Sequence, residues 1–353
     1  MSSQKKILIC YNSPVTIFSV YNGKPLSEGS KVNDLSESGF AKEIETIKAS
    51  LSNEFFEVKE ITINRNIDEA IRKILDYNPD AIFNLVESVE GISSYEYCMT
   101  GIYELLGINY TGNTPSTLGN CLNKERTKEI LRSFDVTTPQ SVTLKPFSKL
   151  SSKSFSFNFP FILKLLKEDA SIGISEFSVV NSFNELKKQF EFLSGTYKQD
   201  IIIEEYIDGR ELNVAILGNE ALPVSEIDFT GLPSELPKIV TYDGKWMENS
   251  VYYNHTKPSC PAKLDKATEK RVVSLALKAF NAMNCRDYAR VDIRLSKKNV
   301  PFVIEVNPNP DISADSGFAR AAAASGISHK ELLIRIVNFA LDRKKDDTQI
   351  QVV

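Results

Sequence analysis

The chain has 353 residues, 42% of them hydrophobic and 25% charged, a globular composition long enough for two or three packed units. Its formal net charge of −4, with no long block of Lys and Arg, excludes a track for nucleic acid. The five cysteines are scattered without metal-ligand spacing, no apolar run reaches membrane-spanning length, and MSSQKKILICYN enters a strand without a signal-peptide core, so reduced thiols in a soluble cytoplasmic protein are expected.

Up to residue 121 strand and helix patterns alternate: KILIC, an amphipathic helix around 39–52, FEVKEI, a helix around 67–77, AIFNLV and a helix around 94–106. This predicts a parallel α/β layer, which binds ligands beyond the carboxyl ends of its strands, here Tyr11 to Ser13 and the loop Asn84 to Ser94. The turn-rich stretch 12–35 is long for such a domain and reads as functional or mobile. After GINYTGNTPS a boundary falls near residue 121, and Lys124 opens the amphipathic helix of LNKERTKEILRSF. A Ser-, Lys- and Phe-rich patch at 147–158 separates VTTPQSVTL from the strand FPFILKLL. The loop KEDASIGI, a strand SEFSVV, a helix 182–194 and the strand IIIEEY then make a small antiparallel α+β unit. Paired strands ELNVAILG and ALPVSEIDF, a long helix about 263–283, strands YARVDIRL and PFVIEV, and helices from about 317 and 328 make a larger one.

Two histidines, His255 and His329, stand far apart with no partner pattern, which leaves a His-based zinc site or a Ser-His triad without support. Lys164 sits mid-strand between apolar neighbours, where burial demands an anion unless the strand lies on an open face. Ser171, with nearby backbone N–H groups eased by Gly173, is suited to cradle a phosphate. An apolar strand ends in Glu204, Glu205, Tyr206 and Ile207, whose backbone can read an adenine edge, and Glu211 follows in reach of ribose hydroxyls; plain surface charge is the alternative for each carboxylate. In RVDIRLSKKNVPFVIEVNPNPDIS, alternation puts Glu305 and Asn307 on one face, and pairing through the SKKN turn brings Asp292 beside them. Three oxygen ligands suit Mg²⁺ bridged to nucleotide phosphates, whereas the bland reading is a strand end in water followed by an Asn-Pro turn. Arg290 projects to the same face, beside the metal position.

Together these segments resemble an ATP-grasp enzyme, most closely the D-alanine:D-alanine ligase-like group of carboxylate-amine ligases. The likeness runs through AIFNLVE, GINYTGNTPSTLGNCLNKERTKEIL, FPFILKLLKEDASIGI, EEYIDGRELNVAILG, ARVDIRL and FVIEVNPNPDIS, in family order and spacing, over nearly the whole chain. It implies an α/β and α+β fold: an N-terminal parallel α/β domain over 1–121, a small central α+β domain over 122–203, and a larger C-terminal α+β domain with the metal site over 204–353. It also implies that Lys124 and Lys164 contact ATP phosphates and that Ser171, Ile172 and Gly173 fold over them. Glu204, Glu205, Tyr206 and Ile207 would bind adenine, Glu211 the ribose, and Lys245 in VTYDGKW the phosphates. Asp292, Glu305 and Asn307 match ligands of two Mg²⁺ ions, replaceable by Mn²⁺, and Arg290 matches the arginine that stabilises the reacting oxyanion. The implied partners are a small carboxylic acid and an amine, with homodimerisation a family habit.

The departures from that family lie on the substrate side. CYNSPVTIFSVYNG follows the first strand with no acidic residue until Glu28, where D-alanine ligases carry a glycine-rich turn with a glutamate and serine. Glu87-Ser88 replaces their His-Gly pair, and Asp311 stands where a glycine is expected, with Asp315 close by, while Ser316 fits a family serine that contacts the second substrate. Carboxylates at Glu87, Asp311 and Asp315 favour a cationic or amino group on the substrate, unless Asp315 caps the helix that begins near Gly317. The expectation is an ADP-forming ligase acting on something other than D-alanine. A true D-alanine:D-alanine ligase, a phosphotransferase and a silent ATP-binding protein are the other readings, the last opposed by intact Arg290.

Overall fold

A computed structural model describes residues 3–13 and 40–343, together with two-residue strand segments at 17–18, 20–21, 24–25 and 32–33. Most of the 12–35 stretch, including Glu28, lies outside the described residues.

Strand β1 (Ser3–Asn12) is the middle of a three-stranded parallel sheet, between β2 (Phe55–Ile63) and β3 (Ala81–Leu85). Because both faces are covered, the strand reads as a continuous apolar run rather than an alternation. Ile7 and Ile9 pack on α1 (Phe40–Ser52), while Leu8 and Cys10 pack on α2 (Ile67–Tyr77) and α3 (Glu96–Leu105). The chain passes from β1 to β2 on one side and then to β3 on the other, so the topology switches at β1 and opens a crevice at its carboxyl end.

Two helices follow: α4 (Pro115–Leu122) and α5 (Lys124–Ser133). The first was not expected. Thr114 caps it, accepting from the Thr117 amide, and Pro115 occupies the first helical position, where its missing N–H costs nothing.

The second sheet is antiparallel, with β5 (Phe161–Leu165) and β7 (Ile201–Glu205) central and β6 (Val179–Val180) and β4 (Ser141–Leu144) at the edges. Helix α6 (Phe183–Tyr197) covers one face with Leu186, Phe190 and Leu193. The expected strand SEFSVV is mostly something else. Ser175 accepts the Phe177 amide and Ser178 reaches back to the Ser175 amide, so residues 176–178 wind into a 3₁₀ turn and only Val179–Val180 pair. The division expected after residue 203 falls inside β7, and we propose that the units part at 206–208 instead.

The third sheet runs β10 (Lys257–Ser259), β9 (Ser225–Asp228), β8 (Gly209–Leu217), β11 (Tyr288–Ser296), β12 (Pro301–Asn307), with residues 220–221 hairpinned onto β8. Between β9 and β10 lie two short helices, α7 (Tyr242–Trp246) and α8 (Val251–Asn254), neither of them expected. Its apolar face, including Leu212, Val214, Val291, Ile293, Val303 and Val306, packs on α9 (Lys266–Ala282). Helices α10 (Gly317–Ala324) and α11 (His329–Leu341) are the last among the described residues. Ser316, not Asp315, caps α10, its Oγ accepting the Ala319 amide at 3.1 Å. Leu332, Leu333, Ile336 and Val337 of α11 join Ile7, Ile9 and Phe83 in one core, so the last helix covers the first sheet. Among the described residues no helix is long and apolar enough to cross a membrane.

Candidate active site

The polar face of the third sheet is built by alternation. With Val291 and Ile293 of β11 turned to α9, Arg290, Asp292 and Arg294 face the other way, and Glu211 and Asn213 do the same on β8. In register, Asp292 stands opposite Asn213 on one side and Glu305 on the other, and Arg290 stands opposite Asn307. Strand β12 breaks strict alternation. Its pairing shifts between Asp292–Glu305 and Ile293–Val303, making Ile304 an extra residue, and this bulge lets Ile304 and Glu305 both face the cavity.

Across this face, Lys164 and Glu204 project from the second sheet into a shared cavity of about 1520 Å³. Every residue that the resemblance assigned to nucleotide, metal or substrate lines it except Gly173, a member of the 168–174 loop that bounds it. Gly173 has φ +77°, and a Cβ there would stand 3.1 Å from the Leu165 side chain, so the loop needs glycine for both conformation and space.

The charges are arranged in linked pairs. Lys124 Nζ lies 3.1 Å from Glu305 and 3.3 Å from Asp169, and also donates to the Glu168 carbonyl. Burial alone would raise the Glu305 carboxyl, but Lys124, then Lys164 and Lys245, hold it down to about 2. Burial works against the Lys124 ammonium as well, yet Glu305 and Asp169 raise it above an ordinary lysine. Arg290 forks onto Asp292, Nε to Oδ1 at 2.7 Å and Nη2 to Oδ2 at 2.9 Å, while Asn213 and Asn307 donate to the same two oxygens. Lys164 answers its own burial with Glu204, at 3.0 Å. Lys245 faces the cavity and, among the described residues, makes no hydrogen bond or ion pair; burial lowers its pKa and the nearby Arg290 lowers it further.

At the other end, Arg294 organises the segment expected to hold a base and a ribose. It donates to the carbonyls of Ile207 and Lys238 and to Glu211 Oε2, the last at 3.0 Å. Burial raises the Glu211 carboxyl despite that arginine. The amides of Glu205 and Tyr206 are spent on the Gln140 and Pro160 carbonyls, which leaves the Ile207 amide without a partner among the described residues. In the 168–174 loop the Ser171 hydroxyl donates to the Val240 carbonyl at 3.1 Å, which pins the loop to that segment. Trp246 Nε1 donates to the Ala170 carbonyl, tying the same loop to the helix that carries Lys245.

Asp292, Glu305 and Asn307 offer a hard, all-oxygen donor set with one carboxylate held ionised, which fits Mg²⁺. Among the described residues no three His, Cys, Asp or Glu side chains gather as a metal cluster.

Sequence reasoning missed Lys128, Asn213, Arg294 and Glu43. Three of them carried a signal: Lys128 follows Lys124 by one helical turn, Arg294 repeats the two-residue step from Arg290 and Asp292, and Asn213 repeats it from Glu211. Glu43, on α1, lines the cavity with Asp311, Asp315 and Ser316, where the resemblance expects a substrate, and no local pattern places it there. Burial, then Asp311 and Asp315, raise its carboxyl to about 7. Glu96, also lining the cavity, accepts from Asn309 at 3.0 Å and is pushed well up, first by burial and then by Glu87 and Asp169.

A small antiparallel sheet facing a larger one across a nucleotide-sized cavity is the ATP-grasp fold. In agreement, the D-alanine–D-alanine ligase of Bacillus anthracis, solved in complex with ATP, superimposes with a TM-score of 0.72 at 22% identity, covering 96% of this chain and 98% of that one. The family model described as the D-ala D-ala ligase C-terminus matches residues 131–338. Protein y4sG of Sinorhizobium fredii is 31% identical over 262 residues, 73% of this chain and 74% of that protein. The D-alanine–D-alanine ligase of Hydrogenovibrio crunogenus is 30% identical over 244 residues, 68% and 72% of the two chains. The chain belongs to the D-alanine–D-alanine ligase family, and is an ATP-dependent ligase that joins a carboxylate to an amine by a C–N bond.

Proposed function

We propose that the protein activates a carboxylic acid as its acyl phosphate and transfers the acyl group to an amine that carries positive charge of its own. The observation that carries the first half is the convergence of Lys124, Lys164, Lys245 and Arg290 on one cavity beside the ionised Glu305. ATP lies along this cavity with its base against the free Ile207 amide, its ribose at Glu211 and its triphosphate among the lysines. A substrate carboxylate oxygen attacks the γ-phosphorus as the bond to ADP breaks. The amine nitrogen then attacks the acyl carbon, phosphate departs, and the amine's proton leaves with it. Arg290 stabilises the oxyanion that develops on the acyl oxygen when the carbon is attacked, and the lysines stabilise charge moving to ADP. Asp292, Glu305 and Asn307 would hold Mg²⁺, which when bound would supply charge neutralisation on the triphosphate.

Support for a cationic amine comes from Glu43, Asp311 and Asp315, whose mutual repulsion is relieved by a positive group. Arg320 gives its guanidinium to the Asp315 carbonyl at 2.8 Å. The relatives named as D-alanine–D-alanine ligases favour a second reading, with D-alanine in both positions. Mass spectrometry of products from ATP, Mg²⁺ and pooled amines separates the two. A product built from lysine, arginine or a diamine is expected; D-alanyl-D-alanine as the best product, with Asp311→Asn leaving the ranking unchanged, sinks the cationic reading.

A further inference from the structure

Lys128 on α5 and Glu204 at the end of β7 are each 1% exposed, although both are ionisable. Lys128 Nζ lies 3.0 Å from Glu204 Oε1, and Lys164 Nζ lies 3.0 Å from Glu204 Oε2, so two ammonium groups share one carboxylate. Lys164 and Glu204 line the cavity, whereas Lys128 stands behind them and does not. Its second acceptor is the Ile304 carbonyl at 3.5 Å, on the residue that forms the bulge in β12. A lone Lys164–Glu204 pair would present no net charge to the cavity. With Lys128 the set carries one net positive charge, and the only member of that sign at the cavity wall is Lys164. Taking a third charge out of water is costly and brings no packing advantage over an apolar side chain of similar length, so burial for stability does not account for the arrangement.

We propose that Lys128 is a positioning residue for nucleotide phosphate binding. It neutralises Glu204 from the side away from the cavity and thereby leaves the Lys164 ammonium to a phosphate. Its contact with Ile304 steadies the bulge that turns Glu305 toward the same phosphates. The inference rests on the reading of this cavity as the ATP site.

The test is calorimetric binding of ATP and of adenosine, with Mg²⁺ present, to the full chain and its variants. Lys128→Met is expected to weaken ATP about 10-fold or more and adenosine less than about 2-fold, because adenosine lacks the phosphates. In turnover, KM for ATP should rise more than kcat falls, and Lys128→Arg should restore most of both. Should Lys128→Met fail to fold, Lys128→Gln, which keeps a donor at this position and removes the charge, takes its place and should show the same split between ATP and adenosine. Equal losses for ATP and adenosine in either variant, or no loss in Lys128→Met, overturn the role given to Lys128. A wild-type chain that binds neither ligand overturns the nucleotide reading itself.

Discussion

Glu305 concentrates what single residues do in this site. A carboxylate held down to about 2 by lysines is ionised at neutral pH, so it is a fixed charge there and not a proton carrier. Glu305→Gln should therefore abolish ADP release and leave the fold intact by circular dichroism; near wild-type ADP release at saturating substrates would show that Glu305 holds no metal. Arg290→Ala should separate binding from chemistry. ATP affinity should stay within a few-fold while kcat falls about 10²-fold, as for loss of an oxyanion donor, and a lost ATP affinity with kcat intact would move Arg290 to the nucleotide. Glu43 behaves in the opposite way to Glu305. Its carboxyl is raised to about 7, so the fold favours its protonated form, and the stability that this contributes is present below the ordinary carboxyl range and lost as pH rises through about 7. Melting temperature should fall between about pH 5 and pH 8, Glu43→Gln should flatten that fall, and affinity for a cationic amine should grow over the same interval in the wild type alone. An equally steep fall in the variant removes Glu43 as the cause.

The elements show why so much of this was legible and where legibility stopped. Strands β11 and β12 could be read because alternation and a short turn fix which side chains meet: the rule groups Arg290 with Asp292 and Glu305 with Asn307, and the turn pairs the two strands. The bulge at Ile304 could not be read, since an apolar residue beside an apolar strand carries no mark of irregular pairing. Short helices escaped for a related reason: α7 spans only five residues, too few for a helical period to declare itself against a turn. SEFSVV misled because valines favour strands while the serines before them offer the backbone competing hydrogen bonds. The 168–174 loop shows what such local conformations carry. Ala170, Ser171 and Gly173 all have positive φ, and the loop is pinned through Ser171 and Trp246 to the segment bearing Lys245. Gly173→Ala should lower stability by about 1 to 2 kcal/mol through strain and the Leu165 contact, and should weaken ATP more than adenosine. A variant with unchanged ATP affinity separates the loop from the phosphates.

At the scale of the whole molecule the two ends of the chain share a core. Ile336 on α11 is fully buried beside Ile7 and Phe83, and Ile336→Ala should cost about 2 to 5 kcal/mol. The single tryptophan, Trp246, lies at the 168–174 loop, far in sequence from that core, so its fluorescence reports locally there while far-ultraviolet circular dichroism sums over the whole chain. Both should shift together in the variant; dichroism moving without fluorescence would mean that the first sheet melts as a separate body. Arg343, just beyond α11, reinforces the same closure through two bonds to Asp287 and one to the Tyr110 carbonyl. During synthesis the ribosome therefore releases β1 nearly the whole chain length before the helix that shields it. Until α11 emerges, Ile7 and Ile9 stay uncovered by it, and a chain stalled short of residue 329 leaves part of the first sheet's face bare to chaperones and proteases.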